Sequence, residues 1–166
     1  MHRIICLCLA LVPLSLRAQP VPFPETSLGI WKGALLIYSG GQLRDSVRIT
    51  LTVAKTSQPD EWTWRTEYHS DKHPMTKDYS LRLVDPEKQL YVTDEHNGIE
   101  LLTYRHGNKL YNVFETQGIL LTSTYERSGD KLIFEVTSGK RAGDEQAGVQ
   151  NYSVTNLQRA VLHKIQ

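Results

Sequence analysis

The sequence predicts an all-β fold: a single antiparallel up-and-down β-barrel of about 8–10 strands with little helix. Three observations carry this expectation. Apolar side chains alternate with polar ones, most clearly at Val47, Ile49, Leu51 and Val53 against Arg48, Thr50 and Thr52, which is the period of a half-buried strand. Turn signals recur every 8–12 residues or so, and no stretch between them has a helical period. Most connections are short hairpins, so neighbours in the chain become neighbours in the sheet. A meander that long exposes two edges unless it closes on itself.

The elements follow in order. Leu28 to Tyr38 is the first strand, with Gly29 and Gly33 either side of Trp31, and Ser39-Gly40-Gly41 turns it into the strand at 47–53. Ser57-Gln58-Pro59-Asp60 is a turn. Trp62, Trp64, Thr66 and Tyr68 then share one face of a third strand. A loop at 70–76 leads to Tyr79, Leu81 and Leu83, and Asp85-Pro86-Glu87-Lys88 turns the chain into Leu90 to Thr93. Asn97-Gly98 is the strongest hairpin signal, because both residues tolerate positive φ. Gly107-Asn108, Gln117-Gly118 and Ser128-Gly129-Asp130 separate strands near 109–116, 119–127 and 131–138. After a polar loop at 140–148, Val149 to Ile165 supplies the last strand.

The ends bound compartment and partners. Met1 to Ala18 reads as a cleavable secretory signal: Arg3, then an apolar run from Ile4 to Leu16, then Ala18 before a cut at Gln19. That run is shorter than the roughly 20 residues a membrane-spanning helix needs. The expected organisation is a signal at 1–18, a proline-bearing extended leader at 19–27 and one barrel domain at 28–166. Both cysteines, Cys6 and Cys8, lie in the signal, preceded by Ile5 and Leu7, so it is not a lipoprotein signal. The remaining chain of about 150 residues has no disulfide and must rest on its own core. Without Arg3 and Arg17 it carries one fewer basic than acidic side chain, with no basic cluster. This balance argues against nucleic acid and against an anionic membrane surface. The expected location is secreted or periplasmic.

Gly29-Ile30-Trp31 resembles the G-x-W that opens the first strand of lipocalins, and Arg159 near the end is similar to the basic residue that covers that tryptophan. On these residues the chain resembles the calycin group, the barrels that include lipocalins, fatty-acid-binding proteins and avidins. The resemblance implies a Trp31–Arg159 cation–π pair at the closed end and a small-molecule binder. The helix after the last lipocalin strand and the helical lid of fatty-acid-binding proteins have no counterpart here.

A small hydrophobic molecule is the expected partner. Trp62, Trp64, Tyr68, Tyr79, Leu81, Tyr104, Tyr111, Phe114 and Glu115 are the candidate cavity residues, since pockets are apolar with a few polar anchors; the alternative is that such residues simply fill a solid core. A second reading is a protein-interaction or inhibitor module using loops 69–77 and 140–148. A third is an enzyme whose inward carboxylates, among Glu67, Glu100, Glu115, Glu126 and Glu135, work with Arg65, Arg82 or Arg105. His69, His73 and Asp71, or Asp94-Glu95-His96, have ligand chemistry for zinc, but residues four apart on a strand stand about 13 Å apart, and no metal or other cofactor is expected. No nucleophile elbow, phosphate loop or dinucleotide fingerprint occurs, and no catalytic residue is assigned.

Overall fold

The computed structural model describes residues 20–144 and 147–165; the segment 1–18 and the expected cut at Gln19 lie outside the described residues. Ten strands follow: β1 (Gly29–Ser39), β2 (Gln42–Lys55), β3 (Glu61–His69), β4 (Met75–Asp85), β5 (Leu90–Asp94), β6 (Glu100–His106), β7 (Lys109–Thr116), β8 (Ile119–Ser128), β9 (Lys131–Arg141) and β10 (Tyr152–Lys164). Each pairs antiparallel with its chain neighbour, and β10 returns to β1 to close the barrel. The closing ladder runs from Trp31↔Lys164 to Ser39↔Asn156. No helix among the described residues is long and apolar enough to cross a membrane.

The leader is not extended throughout. Phe23–Ser27 form a 3-10 turn, with proline in its first positions, where a fixed φ and a missing N–H are tolerated. Phe23 is fully buried because the turn plugs the end of the barrel where β1 begins and β10 finishes. Three hydrogen bonds tie the plug to the strands: the Phe23 N–H donates to the Tyr91 hydroxyl at 3.0 Å, the Trp31 indole N–H donates to the Ser27 carbonyl at 2.8 Å, and the Trp62 indole N–H donates to the Glu25 carboxylate at 2.9 Å. The Arg105 guanidinium also donates to the Val21 carbonyl. Around the plug lie Trp31, Leu35, Leu51, Trp62, Leu81, Tyr91, Leu132 and Leu162, all buried.

Besides register shifts at Ile37/Tyr38, Leu83/Asp85 and Val154/Asn156, two further departures from a regular ladder bear on the interior. At Gly33 β1 runs so close to β10 that a Cβ would overlap the carbonyl oxygen of Val161 and stand 2.9 Å from a Leu162 methyl. Between β6 and β7 the ladder covers only Tyr104↔Tyr111, Arg105↔Leu110 and His106↔Lys109. Beyond these pairs, Glu100–Thr103 remain paired to β5 and Asn112–Thr116 to β8, but not to each other. The seam runs from mid-barrel to the end opposite the plug.

Candidate ligand-binding cavity

The half of the barrel away from the plug is not filled. A cavity of about 120 Å³ remains, walled by β3 to β9; β1, β2 and β10 contribute none of its lining. Trp64 forms the boundary with the plugged half. Its ring lies 6.3 Å from Phe23 on one side and meets Tyr125 edge-on at 5.0 Å on the other, and Tyr125 stacks on Phe134 at 4.6 Å. This aromatic chain runs from the plug into the cavity wall, in the geometries aromatic quadrupoles favour. Leu81, Leu101, Leu110, Phe114, Leu121 and Val136 supply the remaining apolar lining.

The polar lining is small and mostly paired. Thr93 and Thr103 share a hydrogen bond at 2.9 Å, and the Asn112 side-chain N–H donates to the Thr103 hydroxyl at 3.4 Å across the β6–β7 seam. The Asn112 carbonyl oxygen, shielded from solvent, has no partner. Tyr68, Tyr79 and Tyr125 all have pKa values raised above the usual phenol range, in each case mainly by burial. The Glu95 carboxylate beside Tyr79 pushes it further in the same direction. The three phenols therefore stay neutral at physiological pH. Lys77, whose ammonium sits 5.5 Å over the Tyr79 ring, and Glu95 are the charged side chains of the lining.

The structure brings Trp64, Tyr68, Tyr79, Leu81 and Phe114 of the sequence candidates together. Trp62 faces inward but lies in the plugged half, its indole N–H donating to Glu25 at 2.9 Å. Glu25 is held below the usual carboxylate range by its hydrogen bond to Lys55. Tyr104, Tyr111 and Glu115 are corrections: all three are exposed on the outer surface, because the inward positions of these strands are Leu101, Thr103, Leu110, Asn112 and Phe114. The cation over Trp31 is also a correction. Arg127 holds that place, 4.7 Å from the ring, whereas Arg159 lies on the outer face and pairs with Glu135 at 3.4 Å.

The carboxylates proposed for an enzyme do not converge. Glu67 pairs with Arg65, Glu100 with Arg82 and Glu126 with Lys109, each with substantial solvent exposure. Such exposed pairs contribute about 0–1 kcal/mol and have no access to the interior. His69 bonds to the Thr50 hydroxyl and His96 to Ser80. Among the described residues no three histidine or carboxylate side chains gather where they could hold a metal. Sequence reasoning placed Thr66 on the inward face with Trp64 and Tyr68, but missed Thr93, Thr103, Asn112 and Ser123, polar residues that an apolar-in, polar-out pattern assigns to the outer face. It also missed Tyr125, whose alternation with Thr124 and Glu126 was the available signal.

No family model matches the chain, and no curated protein does. Among solved structures it is similar to the S-type phycobiliprotein lyase CPES from Guillardia theta, with a TM-score of 0.63 and 9% identity over 87% of this chain and 91% of that one. It is similar also to Rv2717c from M. tuberculosis, with a TM-score of 0.53 and 17% identity over 88% of this chain and 99% of that one. At these identities the likeness is one of fold, a closed antiparallel β-barrel.

Proposed function

We propose that this protein binds one small, largely apolar molecule inside the barrel. The observation that carries the reading is the unfilled cavity, closed below by Trp64 and lined by aromatic and aliphatic side chains with few polar groups. Binding pockets have this composition. Its size bounds the occupant, since an apolar cavity of about 150 Å³ in another protein takes a single benzene. The enclosed part of the ligand is therefore one ring or a short branched chain. Any remainder extends past Lys77 and Glu95 at the mouth.

Titration with toluene, phenol and aniline tests this. A ligand at ten times its Kd is expected to stabilise the fold by about 1.4 kcal/mol, read as a rise in Tm. Binding should also change tryptophan emission through Trp64, and Trp64→Phe should remove most of that change while the Tm shift persists. Neither a Tm shift nor a spectral change with any of the three probes would overturn the reading.

We propose further that the barrel works outside the cytoplasm after loss of residues 1–18. The basic, apolar and small-residue order of that segment supports this, as does a remaining chain without cysteine, to which an oxidising compartment is indifferent. Intact-mass analysis of protein recovered from outside the cytoplasm is expected to find Gln19 first. A chain that still starts at Met1 would count against it.

A further inference from the structure

We infer that Lys32, Arg48, Thr50 and His69 form a binding site for a tetrahedral oxyanion, a phosphate or sulfate group, on the outer wall of the barrel. The site is separate from the cavity and does not depend on it. Its four side chains come from three strands, and only the antiparallel register gathers them. Lys32 on β1 lies opposite Thr50 on β2. Arg48 lies between Ala34 on β1 and His69 on β3. These residues share the outward parity, and Lys32, Arg48, Thr50 and His69 surround a shallow dent whose floor includes Gly33 and Ile49. Ala34 is exposed and too small to cover it.

Lys32 and Arg48 are exposed cations with no ion-pair partner among the described residues. Glu67, the carboxylate opposite Thr50 in the register, is turned to Arg65 at 2.9 Å. On the other flank Lys32 faces His163 of β10, a further basic side chain. Like charges set side by side repel, and an anion in the dent offsets that repulsion. A neutral donor stands at the same place. Thr50 is 7% exposed, and its hydroxyl oxygen lies 2.8 Å from His69 Nε2. With the ring nitrogen donating to that oxygen, the Thr50 hydroxyl hydrogen is free to donate into the dent, and His69 acts as its positioning residue. The donors are therefore a guanidinium fork, an ammonium and a hydroxyl, carried on two strands. A carboxylate offers two oxygens in one plane and a single charge. A phosphate or sulfate group offers several oxygens around a tetrahedron, and a second charge that answers the second cation.

The experiment titrates the protein with sodium sulfate, at an ionic strength held constant with sodium chloride, and follows the backbone amide resonances. Shifts are expected at Gly33, Arg48, Ile49, Thr50 and His69, with Thr103 and Phe114 in the cavity wall unmoved. Arg48→Gln and Lys32→Gln should each weaken sulfate about 2- to 5-fold, the worth of one exposed charged contact. Arg44→Gln removes the same charge from β2 outside the dent and should leave the affinity unchanged. Sodium acetate, planar and singly charged, should bind more weakly than sulfate. Inorganic phosphate and methyl phosphate are then compared: tighter binding of either supports the inference, the first pointing to the free ion and the second to an esterified group. Three results overturn it: no shift at the dent with sulfate or phosphate, equal losses in Arg44→Gln and Arg48→Gln, or acetate binding as tightly as sulfate. Should a variant fail to fold, the map of shifts and the sulfate-to-acetate ratio in the wild type decide.

Discussion

Trp31→Ala is expected to destabilise the barrel by about 3–5 kcal/mol, the usual cost of truncating a large buried aromatic residue. Against a typical total of about 5–15 kcal/mol this is roughly a fifth or more of what holds the fold. Trp31 is 1% exposed and joins three parts of the plugged end. Its ring fills the space below the Phe23–Ser27 turn, its N–H ties the turn through the Ser27 carbonyl, and its face carries the Arg127 guanidinium. Trp31→Phe keeps most of the volume but orphans that carbonyl, so an intermediate loss is expected. Urea unfolding of both variants measures the series. Arg127→Ala should cost more than Arg159→Ala, whose side chain sits on the outer surface and whose removal should stay within about 0.5 kcal/mol. The reverse order would mean that the wrong arginine has been placed over the ring.

The second large effect is expected at Gly33. A side chain there collides with the backbone of Val161, which cannot rotate away as a flexible side chain would. Gly33→Ala should therefore push β1 from β10 at the joint that closes the barrel, costing about 1–3 kcal/mol or more, as overpacking does. Gly33→Val should be worse. The control is Gly40, where a Cβ meets nothing but φ is +58°; Gly40→Ala should cost only the left-handed penalty of about 1–2 kcal/mol. Amide exchange distinguishes the two variants. Protection along Leu35–Ile37 and Gln158–Ala160 should fall in Gly33→Ala and hold in Gly40→Ala. Equal effects would show that the close approach is not needed for closure.

Strand succession was legible because two-residue alternation and glycine-bearing turns are local signals, and the β1–β10 closure followed from the cost of leaving two edges bare. The cavity was harder to read. Along β6, Glu100-Leu101-Leu102-Thr103-Tyr104 has apolar residues on both faces, so alternation does not say which face turns in. The tyrosines at 104 and 111 point out, while Thr103 and Asn112 point in, the opposite of what composition suggests. The plug was hidden by its prolines, which read as a leader until Phe23 is seen fully buried. The partner of Trp31 turned on register. Arg127 shares the inward parity of Tyr125, whereas Arg159 lies opposite Glu135, a pairing no single strand reveals.

The partial ladder between β6 and β7 sets how the vessel can give. Between the fully laddered strands, such as β1 and β2 or β7 and β8, spreading two staves means breaking a row of backbone bonds. Along this slit it means parting one side-chain contact, Asn112 to Thr103. The outer lips of the slit carry Leu102 and Val113, 61% and 62% exposed, so even its outside is greasy. Capacity is thus elastic along the slit, and a guest slightly too wide for the resting interior would be accommodated there.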